Sequence, residues 1–157
     1  MSSVYLGGAI DFADEKSLNL FQEISNEIVA TLGPDVVIFN PLSAFNNANK
    51  SSSPRDDEFV VAINKLALIQ ADLAVFIWSG ALTFGVPIEI YKRVEAGGPI
   101  LVINTSGRSP GIYMRHFLSQ VDGRITSTKT ELCAALEDFK IVESGQSNVG
   151  VSSNASN

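Results

Sequence analysis

The chain has very few of the residue types that bind metals or form cross-links. Its 157 residues include one cysteine, Cys133, and one histidine, His116. A single thiol excludes an internal disulfide framework, and one thiol with one imidazole is too few ligands for a zinc cage. The sequence therefore predicts no metal site, and its cysteine content is compatible with a reducing cytoplasm.

Clusters of positive charge and long apolar runs are also missing. The net charge is −6, and the largest basic cluster is Lys92-Arg93, so binding to a nucleic acid polymer is not expected. No apolar stretch approaches the ~20 residues that a membrane helix needs. No basic segment precedes the first apolar run, so we expect no signal peptide and no membrane contact, and we expect a cytoplasmic protein.

What the chain does contain is a regular alternation of short apolar runs and amphipathic segments. Continuous apolar runs, typical of buried parallel strands, occur at residues 4–6, 36–39, 73–78, 99–103 and 124–125. Apolar residues at three- and four-residue steps predict helices at residues 13–31, 57–70, 86–96, 110–121 and 128–140. In the second helix the apolar face consists of Phe59, Ile63, Leu66 and Ile69.

This alternation predicts an α/β fold, a flavodoxin-like (Rossmann-like) three-layer sandwich. Its five-stranded, mainly parallel sheet is expected to have the strand order 2-1-3-4-5. We expect a single domain over residues 1–143, a polar loop over 43–56 and a disordered Ser-, Asn- and Gly-rich tail over 144–157.

Glu89 is the most informative residue, because it is an acid among Val86, Ile88 and Ile90. It follows the third predicted strand and a short Ser-Gly loop, which predicts a place in the first turn of a helix at the carboxyl edge of the sheet. Such folds bind ligands at that edge. A helix N-terminus would lower the pKa of the carboxyl and suit a nucleophile, but it also favours acids with a purely structural role. Both interpretations stay open at this point.

Other polar or glycine positions have structural and functional interpretations of the same kind. Gly7 and Gly8 let backbone approach a ligand, but their spacing does not match a dinucleotide fingerprint. Asp11 is either a helix N-cap or a site acid. Tyr5 suits a packed core aromatic, and Asn64 suits a helix-surface amide.

Together these segments resemble the nucleoside 2-deoxyribosyltransferase family, which includes related nucleoside 5′-monophosphate N-glycosidases. The resemblance covers roughly residues 3–104. It rests on the runs Val4-Tyr5-Leu6-Gly7-Gly8-Ala9, Phe39-Asn40-Pro41, Ala71-Asp72-Leu73-Ala74-Val75 and Thr83-Phe84-Gly85-Val86-Pro87-Ile88-Glu89. It implies that Glu89 is the nucleophile and that Tyr5 donates a hydrogen bond to it.

The resemblance further implies that Gly7, Gly8, Asn40, Asn64, Thr83 and Gly85 lie around the substrate. The family's transferases usually have an aspartate six positions before the nucleophile, and this chain has Thr83 there. The monophosphate N-glycosidases have serine at that position, so Thr83 favours a nucleotide substrate. A second family acid aligns with Asn64, which cannot donate a proton as an acid does. The group that protonates the leaving base is therefore unassigned, and Asp11 is a candidate for it.

The activity implied is cleavage of the N-glycosidic bond of a (deoxy)nucleoside and transfer of the sugar to another base through a covalent glutamyl intermediate. The alternatives are a 5′-monophosphate N-glycosidase and a catalytically inactive nucleotide-binding module. The implied partners are a nucleoside or nucleotide, a free nucleobase and further copies of the chain in a homo-oligomer. This chemistry needs no cofactor, and the loop over 43–56 is interpreted as a lid over the base.

Overall fold

The computed structural model describes residues 2–8, 15–41, 54–80 and 85–146. The strands are β1 (Ser3–Gly8), β2 (Val37–Phe39), β3 (Leu73–Trp78), β4 (Ile100–Asn104) and β5 (Gly123–Thr126). The helices of the described part are α1 (Glu15–Leu32), α2 (Pro54–Gln70), α3 (Gly85–Glu95), α4 (Ile112–Leu118) and α5 (Lys129–Gln146).

The strands form one sheet in the order β2-β1-β3-β4-β5, and all four pairings are parallel. This confirms the predicted flavodoxin-like fold and its strand order. Tyr5 of β1 is in register with Phe39 of β2 on one side and with Ala74 of β3 on the other. The carboxyl ends of β1 and β3 therefore lie side by side, at the point of the sheet where such folds bind ligands.

Helices cover both faces of the sheet because each strand is apolar on both sides. On one face, α1 and α5 pack against alternate strand residues such as Leu6, Val75 and Ile103. On the other face, α2, α3 and α4 pack against the intervening residues, which include Tyr5 and Phe76. Tyr5 consequently points towards the α3 side of the sheet.

The end of α1 illustrates how local sequence sets the chain path. Gly33 adopts a φ of +108°, and its N–H donates to the carbonyl of Val29 at 2.9 Å. A glycine in this left-handed region is a common way to terminate a helix. Pro34 follows and cannot continue the helical hydrogen bonds, so the chain turns towards β2.

Several predicted boundaries differ from the observed ones by a few residues. Strand β1 extends through Gly7 and Gly8, two residues past its predicted end at residue 6. Helix α2 starts at Pro54, so the predicted polar loop is shorter, and residues 42–53 lie outside the described part. Helix α5 continues to Gln146, six residues past its predicted end at residue 140, and residues 147–157 lie outside the described part.

The predicted apolar face of α2 does not face the sheet. Phe59 and Leu66 are 65% and 56% exposed, whereas Leu68 is 2% exposed and belongs to the core. Helical periodicity shows which residues share a face, but it does not say which face packs against the same chain. Helix α2 thus presents apolar side chains to the outside of this chain.

Candidate active site

The site is defined by a hydrogen bond between two predicted residues. The phenol of Tyr5, on β1, donates to Oε1 of Glu89, on α3, at an oxygen–oxygen distance of 2.8 Å. The two residues are 84 positions apart in sequence, and the sheet brings them together. Tyr5 is fully buried and Glu89 is half-buried. A carboxylate is therefore held at the sheet by a neutral donor while part of its surface stays accessible.

The ring of Tyr5 is fixed by other aromatic residues. It stacks on Phe39 with ring centroids 5.8 Å apart and planes 14° apart, and it meets Phe76 at 6.0 Å and 53°. A side chain at Gly7 would come within 2.9 Å of both the Phe76 and the Tyr5 rings. Gly7 is needed at this position so that the rings can pack, and the phenol is thereby directed at Glu89.

The electrostatics of the pair keep the proton on the phenol. Burial raises the pKa of Tyr5 well above its ordinary value, and the charge of Glu89 and the hydrogen bond to it raise that pKa further. Because neutral tyrosine has one O–H to donate, Tyr5 acts here as a donor to an anion rather than as a base. Such hydrogen bonds favour the ionised carboxylate.

Glu89 lies one residue further along its helix than the sequence indicated. Helix α3 is described from Gly85, so Glu89 is its fifth residue and not part of its first turn. The effect of the helix macrodipole falls off within the first turn and is weaker here than expected. The hydrogen bond from Tyr5 is consequently the better-supported reason for an anionic Glu89.

Three other predicted residues stand at strand or helix ends near this pair. Gly8 ends β1, and a side chain there would come within 2.5 Å of the ring of Phe21. Asn40 directly follows β2, the neighbour of β1, and is half-buried. Gly85 starts α3 and is exposed. Their contact with a substrate stays a prediction.

Asn64 lies in α2 on the α3 side of the sheet. Its Oδ1 atom is buried and has no hydrogen-bond partner among the described residues. An unmet buried acceptor of this kind costs about 1–3 kcal/mol. A bound molecule with a hydroxyl could supply the missing donor. Thr83 and Asp11, the remaining predicted site residues, lie outside the described residues.

A cleft of about 740 Å³ opens at the carboxyl edge of the sheet, beside the first turns of α1. Ser79 and Thr105, the residues that follow β3 and β4, belong to its lining. Its volume suits a small molecule. Another cleft, of about 320 Å³, lies at the amino edge near Pro99 and Arg124, away from Glu89. Neither Tyr5 nor Glu89 is among the described residues that line the carboxyl-edge cleft, which opens on the α1 side of the sheet, whereas the pair lies on the α3 side.

Sequence reasoning missed Arg93, which is 3% exposed and lies one helical turn after Glu89. Its guanidinium donates to the carbonyls of Leu68, Ile69 and Asp72 at 3.0, 3.1 and 3.1 Å. The available signal was its position on the same helical face as Val86 and Ile90, where an exposed arginine is not expected.

Comparison with solved structures identifies the fold. A conserved protein from Enterococcus faecalis V583 is 19% identical, with a TM-score of 0.72 over 88% of this chain and 98% of that one. A 2-deoxyribosyltransferase from Bacillus psychrosaccharolyticus is 16% identical, with a TM-score of 0.65 over 86% and 96%. This chain shares its fold with that enzyme.

A CMP N-glycosidase from Clostridium botulinum is similar in the same way, at 14% identity and a TM-score of 0.58 over 87% of this chain and 99% of that one. At the level of fold, these structures confirm the resemblance drawn from the sequence. No family model and no curated protein matches the chain. Because one fold can serve many activities, the activity must be argued from the site.

The described residues contain no group of three or more histidine, cysteine or carboxylate side chains placed to hold a metal ion. None of the helices in the same ranges has the length and apolar character needed to cross a membrane.

Proposed function

We propose that the protein cleaves the N-glycosidic bond of a (deoxy)nucleoside and transfers the sugar to another base through an ester on Glu89. The observation that carries this proposal is the 2.8 Å hydrogen bond from the buried Tyr5 phenol to the half-buried Glu89 carboxylate. The fold shared with a 2-deoxyribosyltransferase and a CMP N-glycosidase supports the same reaction class.

The chemistry suits a fixed carboxylate. As the bond between the anomeric carbon and the base nitrogen breaks, its electron pair leaves with the base and positive charge grows on the sugar. The Glu89 carboxylate stabilises that charge and then forms a carbon–oxygen bond to the anomeric carbon. A nitrogen of the second base attacks the same carbon and gives up its proton to the group that protonated the first base, and the ester electrons return to Glu89.

The leaving base needs a proton, and Asn64 has none of suitable acidity. We propose Asp11 as the donor. Gly7, Gly8, Asn40 and Gly85 are proposed to surround the sugar and base, as the family resemblance implies. Thr83 is proposed to contact the sugar or its phosphate. Asn64 Oδ1, an acceptor without a described partner, is proposed to receive a substrate hydrogen bond.

A base-exchange assay tests the reaction. The protein is incubated with a deoxynucleoside and a different free base, and the exchanged nucleoside is quantified by chromatography. Glu89→Ala should abolish exchange because no nucleophile remains. Glu95→Ala is the matched control, since it removes an exposed acid of the same helix that pairs with Lys92 at 2.7 Å. A sugar adduct on Glu89 in intact-protein mass spectrometry should accompany exchange. Exchange that survives Glu89→Ala would contradict the proposal.

A 5′-monophosphate N-glycosidase is the alternative, and Thr83 favours it because that position has serine in the monophosphate enzymes. In that case water, not a second base, would attack the ester. Release of free base from a nucleoside monophosphate but not from the nucleoside would decide for the hydrolase.

A non-catalytic nucleotide-binding module is the remaining alternative, and the amide at Asn64 in place of an acid favours it. Calorimetric binding of a nucleotide without turnover over hours would decide for this alternative and against both enzymes.

We also propose that the protein acts as a cytoplasmic homo-oligomer. Helices α2, α3 and α4 present large apolar side chains outside this chain, including Phe59, Ile88 and Tyr113 at 65%, 58% and 75% exposure. Exposed apolar area of this kind often marks an interface. Ile88 is adjacent to Glu89, so a second copy could border the site. Light scattering after gel filtration should give a mass above 16.8 kDa, and a monomer at all concentrations would contradict this part of the proposal.

A further inference from the structure

The buried guanidinium of Arg93 connects three parts of the fold. Its Nη1 donates to Leu68 O and Ile69 O, which are among the last carbonyls of α2, and its Nη2 donates to Asp72 O, just before β3. The last carbonyls of a helix have no partner within it and lie at its negative end, where a cation is favoured. Arg93 therefore joins α3 to the end of α2 and the start of β3.

Asp72 continues this connection to β1. Its N–H donates to Ser3 O at 3.0 Å, and its Oδ2 accepts from the Ser3 N–H and hydroxyl at 2.7 and 2.8 Å. Ser3 is two residues before Tyr5 on the same strand. The start of β3 is thus bound on one side to the helix that carries Glu89 and on the other to the strand that carries Tyr5.

These contacts form a closed ring that includes Tyr5 and Glu89. From Tyr5 the ring passes along β1 to Ser3, across Asp72 to Arg93, along α3 to Glu89 and back through the 2.8 Å hydrogen bond. The helical side of the ring, from Arg93 to Glu89, rises about 6 Å over four residues. The strand side, from Ser3 to Tyr5, rises about 6.6 Å over two residues. The two rises are nearly equal, so Arg93 lies level with Ser3, and Glu89 lies level with Tyr5.

The surroundings of Arg93 hold its guanidinium closely. Burial lowers the pKa of Arg93, and the charge of Asp72 partly opposes that shift. In the described part of the chain Arg93 has no carboxylate within ion-pair distance, and its Nε has no acceptor. A side chain on Gly98 would overlap the guanidinium. The cost of burying this charge is offset in part by the three hydrogen bonds to backbone carbonyls and by the charge of Asp72.

We infer that Arg93 is a positioning residue, which sets the height of α3 against β1 and thereby keeps the Glu89 carboxylate on the Tyr5 phenol. The catalytic meaning of this role rests on the proposed function. The geometric role can be tested without any activity.

The test follows the Tyr5 phenol by NMR in full-length protein labelled with ¹³C at tyrosine Cζ. The chain has three tyrosines, and Tyr5→Phe assigns the resonance. Glu89→Ala defines the Cζ shift of a phenol without its acceptor. Arg93→Met should move the Tyr5 resonance at least half of the way to that value. Arg124→Met is the matched control, since it removes an arginine that pairs with Asp138 at 2.6 Å elsewhere on the protein, and it should leave the resonance unmoved.

A milder variant covers the case in which Arg93→Met does not fold. Asp72→Ala removes the exposed side chain that binds Ser3 and should shift the same resonance in the same direction by a smaller amount. Arg93→Lys should restore only part of the wild-type shift, because an ammonium cannot replace the fork of a guanidinium. An unmoved Tyr5 resonance in a folded Arg93→Met, or in Asp72→Ala if that variant alone folds, would overturn the inference.

Kinetics separate this inference from the proposed function. If the protein exchanges bases, Arg93→Met should lower kcat about 100-fold with little change in KM, as expected for a nucleophile displaced by about 1 Å. If the wild-type protein shows no exchange or hydrolysis, the proposed function fails, and the NMR shifts still decide whether Arg93 positions Glu89.

Discussion

Replacing Tyr5 with phenylalanine removes one oxygen atom from the site and nothing else. The ring stays between Phe39 and Phe76, which it meets at 5.8 and 6.0 Å, so the core should not rearrange. What is lost is the donor to Glu89 Oε1. The variant therefore measures the contribution of a single hydrogen bond to the orientation of the carboxylate.

The size of the effect follows from the partners of that bond. A hydrogen bond to a charged group contributes about 1.5–3 kcal/mol to stability. Because Glu89 is half-buried, water can replace part of the lost donor, and we expect a loss of about 1.5 kcal/mol, at the low end of that range. An equal loss in the transition state would slow base exchange about tenfold, and added misorientation of the carboxylate would bring the loss to about 100-fold.

Denaturant unfolding followed by the fluorescence of Trp78, the only tryptophan, gives the stability, and the exchange assay gives the rate. Tyr113→Phe is the matched control, because Tyr113 is 75% exposed and should tolerate the change. Exchange by Tyr5→Phe within twofold of wild type would refute the assigned role of the phenol. Equal losses of exchange rate in Tyr5→Phe and Tyr113→Phe would refute it as well.

Two further perturbations test the surroundings of the pair. The raised pKa of Tyr5 means that the folded protein holds a proton that the unfolded chain releases near pH 10. The associated stability is present below pH 10 and should be lost above it by up to about 1.4 kcal/mol per pH unit. The stability advantage of wild type over Tyr5→Phe, measured in urea, should therefore shrink from pH 10 to pH 11, and a constant advantage would contradict the burial of the phenol. Gly8→Ala should destabilise the protein by about 1–3 kcal/mol through overlap with Phe21. Gly111→Ala has open space around the new methyl and should change the melting temperature little, so equal shifts in both would contradict the packing argument.

The sheet could be predicted from sequence because the strands are short, continuous apolar runs. The run Leu73–Trp78 is apolar on both sides, as a central strand covered by two layers of helices must be, and its predicted ends were correct. The predicted boundary of β1 was wrong where glycine is involved. The apolar run ends at residue 6, but Gly7 and Gly8 continue β1, and their missing side chains make room for aromatic rings.

The surface of α2 could not be predicted, because periodicity contains no information on what lies opposite a face. Phe59 and Leu66 share a helical face and are both exposed, while Leu68, on another side, packs in the core. A helix that contacts both its own sheet and something outside the chain has two apolar faces, and the sequence does not rank them.

The candidate site was predicted in part. The pairing of Tyr5 with Glu89 was implied by the family resemblance, and the structure brings the two together. The role of Arg93 could not be inferred, because its three acceptors are backbone carbonyls 21 to 25 residues earlier in the chain. Every residue has such a carbonyl, so no side-chain pattern in the sequence could mark these three.

The long separation between Tyr5 and Glu89 has a consequence for biosynthesis. At roughly 5–20 residues per second, a ribosome adds the 84 residues from Leu6 through Glu89 in roughly 4–17 s. During that interval the nascent phenol has no glutamate to meet, and β1 has no β3 beside it. Tyr5 and Glu89 can therefore pair only after Glu89 has been added, and no fragment that ends before that residue contains both partners.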